Sequence, residues 1–146
     1  MTTLPASQRA VQLRAYNGNP ESIAVADLPV PRPGPGQVLV RVVASPINPS
    51  DQMFIRGLYG FKKPLPAIPG FEGSGTVVEA GGRMMARFLM GRRVACAAAA
   101  WDIAGGMWAE YLVTSAQLCV PLTSGVMNKN GAAFQSVATR RFDALH

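Results

Sequence analysis

The sequence lacks the long apolar run that a membrane-spanning helix requires. No uninterrupted apolar stretch in its 146 residues reaches the roughly 18–20 residues needed to cross a bilayer. The N-terminus, MTTLPASQRAVQL, has no charged start followed by an apolar core, so a secretory signal is not expected. From these absences we expect a cytoplasmic protein with no membrane partner.

Cysteine and charge are also scarce. The two cysteines, Cys96 and Cys119, are too few for a disulfide framework, and we expect them to be reduced, buried thiols. Charged residues make up 15% of the chain and apolar residues 49%, a composition typical of globular proteins and not of disordered ones. A length of 146 residues predicts one domain.

The net charge of +6 does not by itself indicate a nucleic-acid partner. A nucleic-acid surface clusters its basic residues and places aromatic residues among them for stacking. Here the basic residues are scattered along the chain, with adjacent pairs only at 62–63, 92–93 and 140–141. We therefore expect no nucleic-acid partner and a solvated position for these residues, Lys62 and Lys63 included.

Short strands separated by glycine and proline dominate the pattern along the chain. Such a pattern favours a mainly β fold, either a barrel or a sandwich. Strands are predicted at 9–16, 22–28, 37–45, 75–80, 92–98, 107–114 and 118–120, and helices at 48–56 and 128–145. The segment Gly70–Gly75 contains Gly73-Ser74-Gly75 but lacks the GxGxxG spacing of a phosphate-binding loop, and it opens a strand and not a helix. We therefore predict a bend there and not a phosphate-binding loop.

The first helix has a clear N-terminal signal. Asn48 is a favourable N-cap, Pro49 suits the first helical position, and Asp51 places a negative charge in the first turn. These three residues explain a helix start without any further function.

Five segments together resemble a known family: QVLV at 37–40, INPSD at 47–51, PGFEGSG at 69–75, GRRV at 91–94 and GMWAEY at 106–111. In this order they are similar to the GroES-like N-terminal domain of the medium-chain dehydrogenase/reductase superfamily, over about residues 9–125. The resemblance implies a partly open β-barrel with short helices. It implies a catalytic domain at 1–126 and a C-terminal helix at 127–146 leading toward a Rossmann domain, which we expect this chain to lack.

The same resemblance addresses zinc. Zinc-dependent members of the superfamily place a cysteine where Asn48 stands and a histidine where Phe71 stands. An amide and a phenyl ring cannot supply the thiolate and imidazole of a tetrahedral zinc site. The chain's single histidine is His146. The chain therefore resembles the zinc-free branch, which includes quinone oxidoreductases and 2-enoyl thioester reductases, and no metal is expected.

The zinc-free branch implies NADPH as cofactor and a quinone, an enone or an enoyl thioester as substrate. By resemblance, Tyr59 is the catalytic proton donor or carbonyl-polarising group, and Asn48 contacts the cofactor. Asp51 and Trp108 are the predicted substrate contacts. Packing alone would also explain Tyr59 and Trp108, and helix capping would also explain Asn48 and Asp51.

Two further expectations concern the chain as a whole. Without a Rossmann domain nothing would hold the nicotinamide, so the 146-residue chain alone is expected to be inactive. An exposed inter-domain face, with Val137 and Leu145 near it, predicts self-association into a homo-oligomer. The alternative function is a stand-alone GroES-like binding or interaction module without catalytic activity.

Overall fold

The computed structural model describes residues 3–98 and 105–122. The strands within these ranges are β1 (Ser7–Leu13), β2 (Ile23–Pro29), β3 (Gln37–Ala44), β4 (Glu72–Ala80), β5 (Arg93–Ala97), β6 (Tyr111–Ser115) and β7 (Cys119–Pro121). The α-helices are α1 (Pro49–Ile55) and α2 (Met84–Leu89), and the short 3-10 turns are Pro20–Ser22 and Ala116–Leu118. The predicted helix at 128–145, with Val137 and Leu145, lies outside the described residues, as does His146.

The strands form two antiparallel sheets. One is the hairpin of β1 and β2, and the other has five strands in the order β6-β3-β4-β5-β7. Within the described part of the chain, no pairing joins the edge strands β6 and β7, so the barrel stays open. The predicted mainly β fold with a partly open GroES-like barrel is confirmed.

The central strand β3 is buried on both faces over its first half. Val38 and Val40 pack into a core with β4, β5 and β6, whereas Leu39 points to a smaller cluster with Val30 and Val113. Alternation of side chains along a strand explains this division. Each fully buried aliphatic side chain contributes about 1.5–3 kcal/mol relative to an exposed one.

The glycine-rich segment predicted as a bend is instead the first part of β4. Gly73 pairs with Cys96 and Gly75 with Val94, so the segment is an ordinary part of the five-stranded sheet. A Cβ at Gly75 would collide with the backbone carbonyl of Arg41 on β3. Glycine is therefore required here because the two strands approach each other closely, and not because the chain turns.

Helix α2 was not expected from the sequence. It has six residues, and its buried side chains, Ala86 and Leu89, pack into the main core. A six-residue helix is too short to show a clear helical repeat of apolar residues, and the segment is bounded by Gly82 and Gly91. Neither α2 nor any other helix in the described ranges has the length and apolar character needed to cross a bilayer.

The two cysteines face each other across the sheet. Cys96 on β5 pairs with Cys119 on β7, and both are buried thiols outside any disulfide, as predicted. The neighbouring Cys119 thiol and the burial of the site together raise the pKa of Cys96 well above its ordinary value. Both effects favour the neutral thiol. Because only the thiolate is nucleophilic, Cys96 is not activated as a nucleophile.

Candidate functional site

The candidate site is built around the first turn of α1. Asn48 is the N-cap with an extended backbone, and Pro49 occupies the first helical position. The predicted helix at 48–56 therefore agrees with the observed Pro49–Ile55. A proline at this position loses no hydrogen bond because the first N–H groups of a helix have no partner within it.

Asp51 links the start of α1 to the start of β4. Its carboxylate is fully buried, and Oδ2 accepts the backbone N–H of Asn48 at 2.8 Å. Its other oxygen, Oδ1, accepts the backbone N–H of Phe71 at 3.1 Å. Burial raises the pKa of Asp51, and the two N–H donors lower it, with burial the larger effect. The residue thus holds together the two positions at which zinc-dependent relatives would carry ligands.

The side chain of Asn48 makes a second link between the same elements. Its Nδ2 donates to Oε1 of Glu72 at 2.7 Å, and Glu72 is the first residue of β4. Backbone and side chain of Asn48 are therefore both engaged by neighbouring acidic groups. These two hydrogen bonds fix the orientation of the Asn48 amide at the N-terminus of α1. Glu72 was not identified from the sequence, because its partner is 24 residues away.

An aromatic cluster lies beside these links, consisting of Tyr16, Phe54, Tyr59, Phe61 and Phe71. The ring of Phe71 packs 5.0 Å from that of Tyr59 and 5.4 Å from that of Phe54. Tyr59 also meets Phe61 edge-on at 5.3 Å. Zinc-dependent relatives carry a metal-binding histidine at the position of Phe71. Here that position holds a phenyl ring packed against other aromatic rings. Within the described residues no group of three potential metal ligands occurs.

Tyr59 sits at the edge of this cluster. Its ring is half-buried against Phe61 and Phe71, and its hydroxyl has no hydrogen-bond partner in the described part of the chain. Apolar side chains are exposed at both ends of α1: Ile47, just before Asn48, is 69% exposed, and Leu58, just before Tyr59, is 67% exposed. We call Ile47, Leu58 and Met53 the apolar rim. A phenol on a fixed ring beside an apolar rim can donate a hydrogen bond to a docked molecule.

Trp108 packs on the same cluster from the other side. Its Cδ1 would lie 2.6 Å from a Cβ placed at Gly70, whose φ of +98° already favours glycine. The predicted strand at 107–114 begins only at Tyr111, because Trp108 instead donates its backbone N–H to Pro69. The indole Nε1 is buried and has no hydrogen-bond partner among the described residues. Trp108 therefore packs, partly buried, against the aromatic cluster.

Lys63 is placed differently from its sequence expectation. It was expected to be solvated, yet it is only 5% exposed. Its Nζ donates to the carbonyl oxygen of Gly105, and its backbone exchanges two hydrogen bonds with the hydroxyl of Tyr16. Lys62, by contrast, is exposed and lies 5.5 Å from the ring centre of Tyr16. Contacts across 42 and 47 residues bury Lys63, and no local sequence signal shows them.

Comparison with known proteins places this geometry in a family. Residues 34–124 match the alcohol dehydrogenase GroES-like domain. The chain therefore belongs to the GroES-like alcohol dehydrogenase family of oxidoreductases, and its relatives belong to the zinc-free branch of the medium-chain dehydrogenase/reductases, as the resemblance implied.

Two curated relatives are oxidoreductases by name. The chain is 30% identical over 138 residues to a chloroplastic quinone-oxidoreductase homolog of Spinacia oleracea, covering 93% of this chain and 41% of the relative. It is 40% identical over 98 residues to prostaglandin reductase-3 of Mus musculus, covering 67% of this chain and 24% of the relative. The chain thus spans less than half the length of these relatives. Their names do not favour the alternative of an interaction module.

The solved structures that this chain resembles are also described as quinone reductases or oxidoreductases. A structure from Mesorhizobium loti, provisionally described as an NADPH:quinone reductase, matches with a TM-score of 0.81 at 36% identity over 98% of this chain and 45% of that chain. The quinone oxidoreductase of Thermus thermophilus, also solved with NADPH, matches with a TM-score of 0.65 at 30% identity over 86% of this chain and 35% of that chain.

Proposed function

We propose that this chain is the catalytic domain of a zinc-independent, NADPH-dependent oxidoreductase that reduces a quinone or a conjugated C=C bond. The observation that carries the proposal is the fixed arrangement at α1. The buried Asp51 ties Asn48 to Phe71, and the ring of Phe71 in turn supports Tyr59. This arrangement sets a polar amide and a phenol beside an apolar rim, which suits the binding of an apolar conjugated carbonyl.

The cofactor would contact this domain at the polar end of the site. Bound NADPH supplies a hydride ion to the substrate. Asn48 and the exposed apolar side chain of Ile47 offer one polar and one apolar contact, which suits an amide-bearing aromatic ring. The family resemblance implies that most other cofactor contacts come from a Rossmann domain.

Tyr59 is the group that would act on the substrate. Hydride addition to the carbon β to a carbonyl moves the double-bond electrons onto the carbonyl oxygen. A phenol hydroxyl can donate a hydrogen bond to that oxygen as negative charge develops. Packing against Phe61 and Phe71 limits the directions in which the hydroxyl can point.

Asp51 and Trp108 have more indirect roles in this proposal. Asp51 was predicted to contact the substrate, but its carboxylate is 0% exposed and both oxygens are engaged by backbone donors. It acts instead as a positioning residue for Asn48 and Phe71. Trp108 supports the aromatic cluster, and only the exposed part of its ring is available to border a substrate.

The test uses a chimera in which this chain replaces the matching N-terminal domain of a quinone oxidoreductase. With an enone and NADPH, Tyr59→Phe should lower kcat by about 10²–10⁴-fold, the usual effect of removing a positioned acid. KM should change little, because the ring and its packing remain. Tyr111→Phe, in the separate cluster around Leu39, is the matched control and should keep normal turnover. An unchanged kcat in Tyr59→Phe would remove Tyr59 from the chemistry.

A further inference from the structure

Helix α2 has one face in the core and the other in solvent. Ala86 and Leu89 are 0% and 1% exposed, respectively. Met84, Arg87 and Phe88 share the opposite face, because residues three and four apart lie side by side on a helix. Met84 is 86% exposed and Phe88 is 58% exposed, so two large apolar side chains lie side by side on the solvent-facing surface.

Arginines are frequent in and beside α2. The four arginines of this segment are Arg83, Arg87, Arg92 and Arg93, and no acidic residue occurs between 80 and 98. The guanidinium carbon of Arg92 lies 3.9 Å from the ring centre of Phe88. Within the described residues, none of the four forms a salt bridge, and the nearest acid in sequence, Glu79, is paired with Arg32. Among the described residues, no acidic partner therefore offsets the positive charge of these arginines.

We propose that this surface docks onto an anionic lipid bilayer. We call it the α2 patch, and its members are Arg83, Met84, Arg87, Phe88, Met90 and Arg92. Apolar side chains on such a surface enter the boundary between headgroups and acyl chains, while arginines bind the anionic headgroups around them. Arg92 stacked on Phe88 serves both purposes, because its guanidinium stays with the headgroups while Phe88 inserts.

The shape of the patch favours a bilayer over an acidic protein. Met84, at 86% exposure, stands out from the surface. A protruding side chain inserts readily into a fluid headgroup layer but would need a matching pocket in a folded partner. A stable protein interface also buries about 800 Å² on each partner, which is far more than the outer face of a six-residue helix offers.

Adsorption of this patch at a bilayer surface needs no membrane-spanning helix. It is also independent of the proposed catalytic function, because no residue of the patch belongs to the site at α1. The sequence expectation of no membrane partner rested on the lack of a long apolar run. In the sequence, the basic and apolar residues of the patch alternate with no evident pattern. They come to lie on one face because α2 packs its other face against the core.

The test is co-sedimentation of the full 146-residue chain with vesicles. Binding is expected to vesicles of phosphatidylcholine mixed with phosphatidylglycerol and not to phosphatidylcholine alone. Raising the salt concentration should release the protein, because salt screens the attraction of exposed charges. Arg87→Gln with Arg92→Gln should lower the partition coefficient by about 25-fold, since one arginine near an anionic surface is worth about fivefold.

Matched controls separate the patch from the net charge of +6. Arg14→Gln with Arg41→Gln removes the same charge from exposed sites elsewhere and should lower binding much less. Met84→Ser with Phe88→Ser should weaken binding as well, without lowering the melting temperature.

Three results would overturn the proposal. One is no binding to the anionic vesicles. The second is an equal loss of binding in the two arginine double variants, which would assign adsorption to net charge. The third is binding of the α2 patch to polyglutamate but not to vesicles, which would assign it to an acidic protein partner.

Discussion

Asp51 offers a sharp test of how the site is held, through the substitution Asp51→Asn. The amide is nearly the same size as the carboxylate but has one acceptor oxygen in place of two. Asp51 accepts one N–H from Asn48 and one from Phe71, so the variant must turn an NH₂ group toward one of these donors. A buried donor left without an acceptor costs about 1–3 kcal/mol.

Thermal unfolding followed by circular dichroism measures this loss. The melting temperature should fall by about 2–4 °C for each kcal/mol lost, the scale for domains of about this size. Asp27→Asn is the matched control: Asp27 is exposed, and its substitution should change stability by less than about 0.5 kcal/mol. If the two variants have the same melting temperature, Asp51 does not hold α1 to β4.

The pH dependence of stability, compared between wild type and Asp51→Asn, gives a second measurement. Burial raises the folded-state pKa of Asp51 above its ordinary value of 3.8, so the folded protein holds this proton more tightly than the unfolded chain. Its contribution to the free energy of unfolding is therefore largest below pH 3.8 and falls as the pH rises through the folded-state pKa. The stability difference between wild type and Asp51→Asn should widen on acidification. A difference that narrows would contradict burial as the dominant effect.

Two more predictions concern the close strand approach and the metal. Gly75→Ala places a Cβ against the Arg41 carbonyl oxygen and should cost about 1–3 kcal/mol or more, whereas Gly60→Ala, with nothing within 4 Å, should be neutral by denaturant titration. Elemental analysis of the dialysed protein should find zinc well below one equivalent, because Asn48 and Phe71 replace the expected ligands, and chelators should leave the fold intact. Equimolar, tightly held zinc would refute that reasoning.

Local signals explain what could be predicted from the sequence. Asn48, Pro49 and Asp51 define the start of α1 because caps act within one helical turn, and the alternation along β3 defines its two faces. The strands were placed to within a few residues for the same reason, although β4 begins three residues earlier than expected. There, pairing with strands on both sides overrode the turn tendency of Gly73 and Gly75.

Long-range contacts explain what could not be predicted. The bridge from Asp51 to Phe71 spans 20 residues, and the burial of Lys63 depends on Tyr16, 47 residues away. Neither partner can be read from a sequence window. The assignment of the site therefore came from the resemblance, whereas the rigidity of that site is known only from the fold.

The transfer of hydride to a conjugated double bond is the central claim, and isotopic labelling tests it most directly. The chimera would be supplied with NADPH carrying deuterium at the transferable C4 position and with an α,β-unsaturated ketone. The saturated product should carry one deuterium at the carbon β to the carbonyl, and Tyr59→Phe should slow its formation without moving the label. A chimera that folds and binds NADPH but yields no deuterated product would contradict the account.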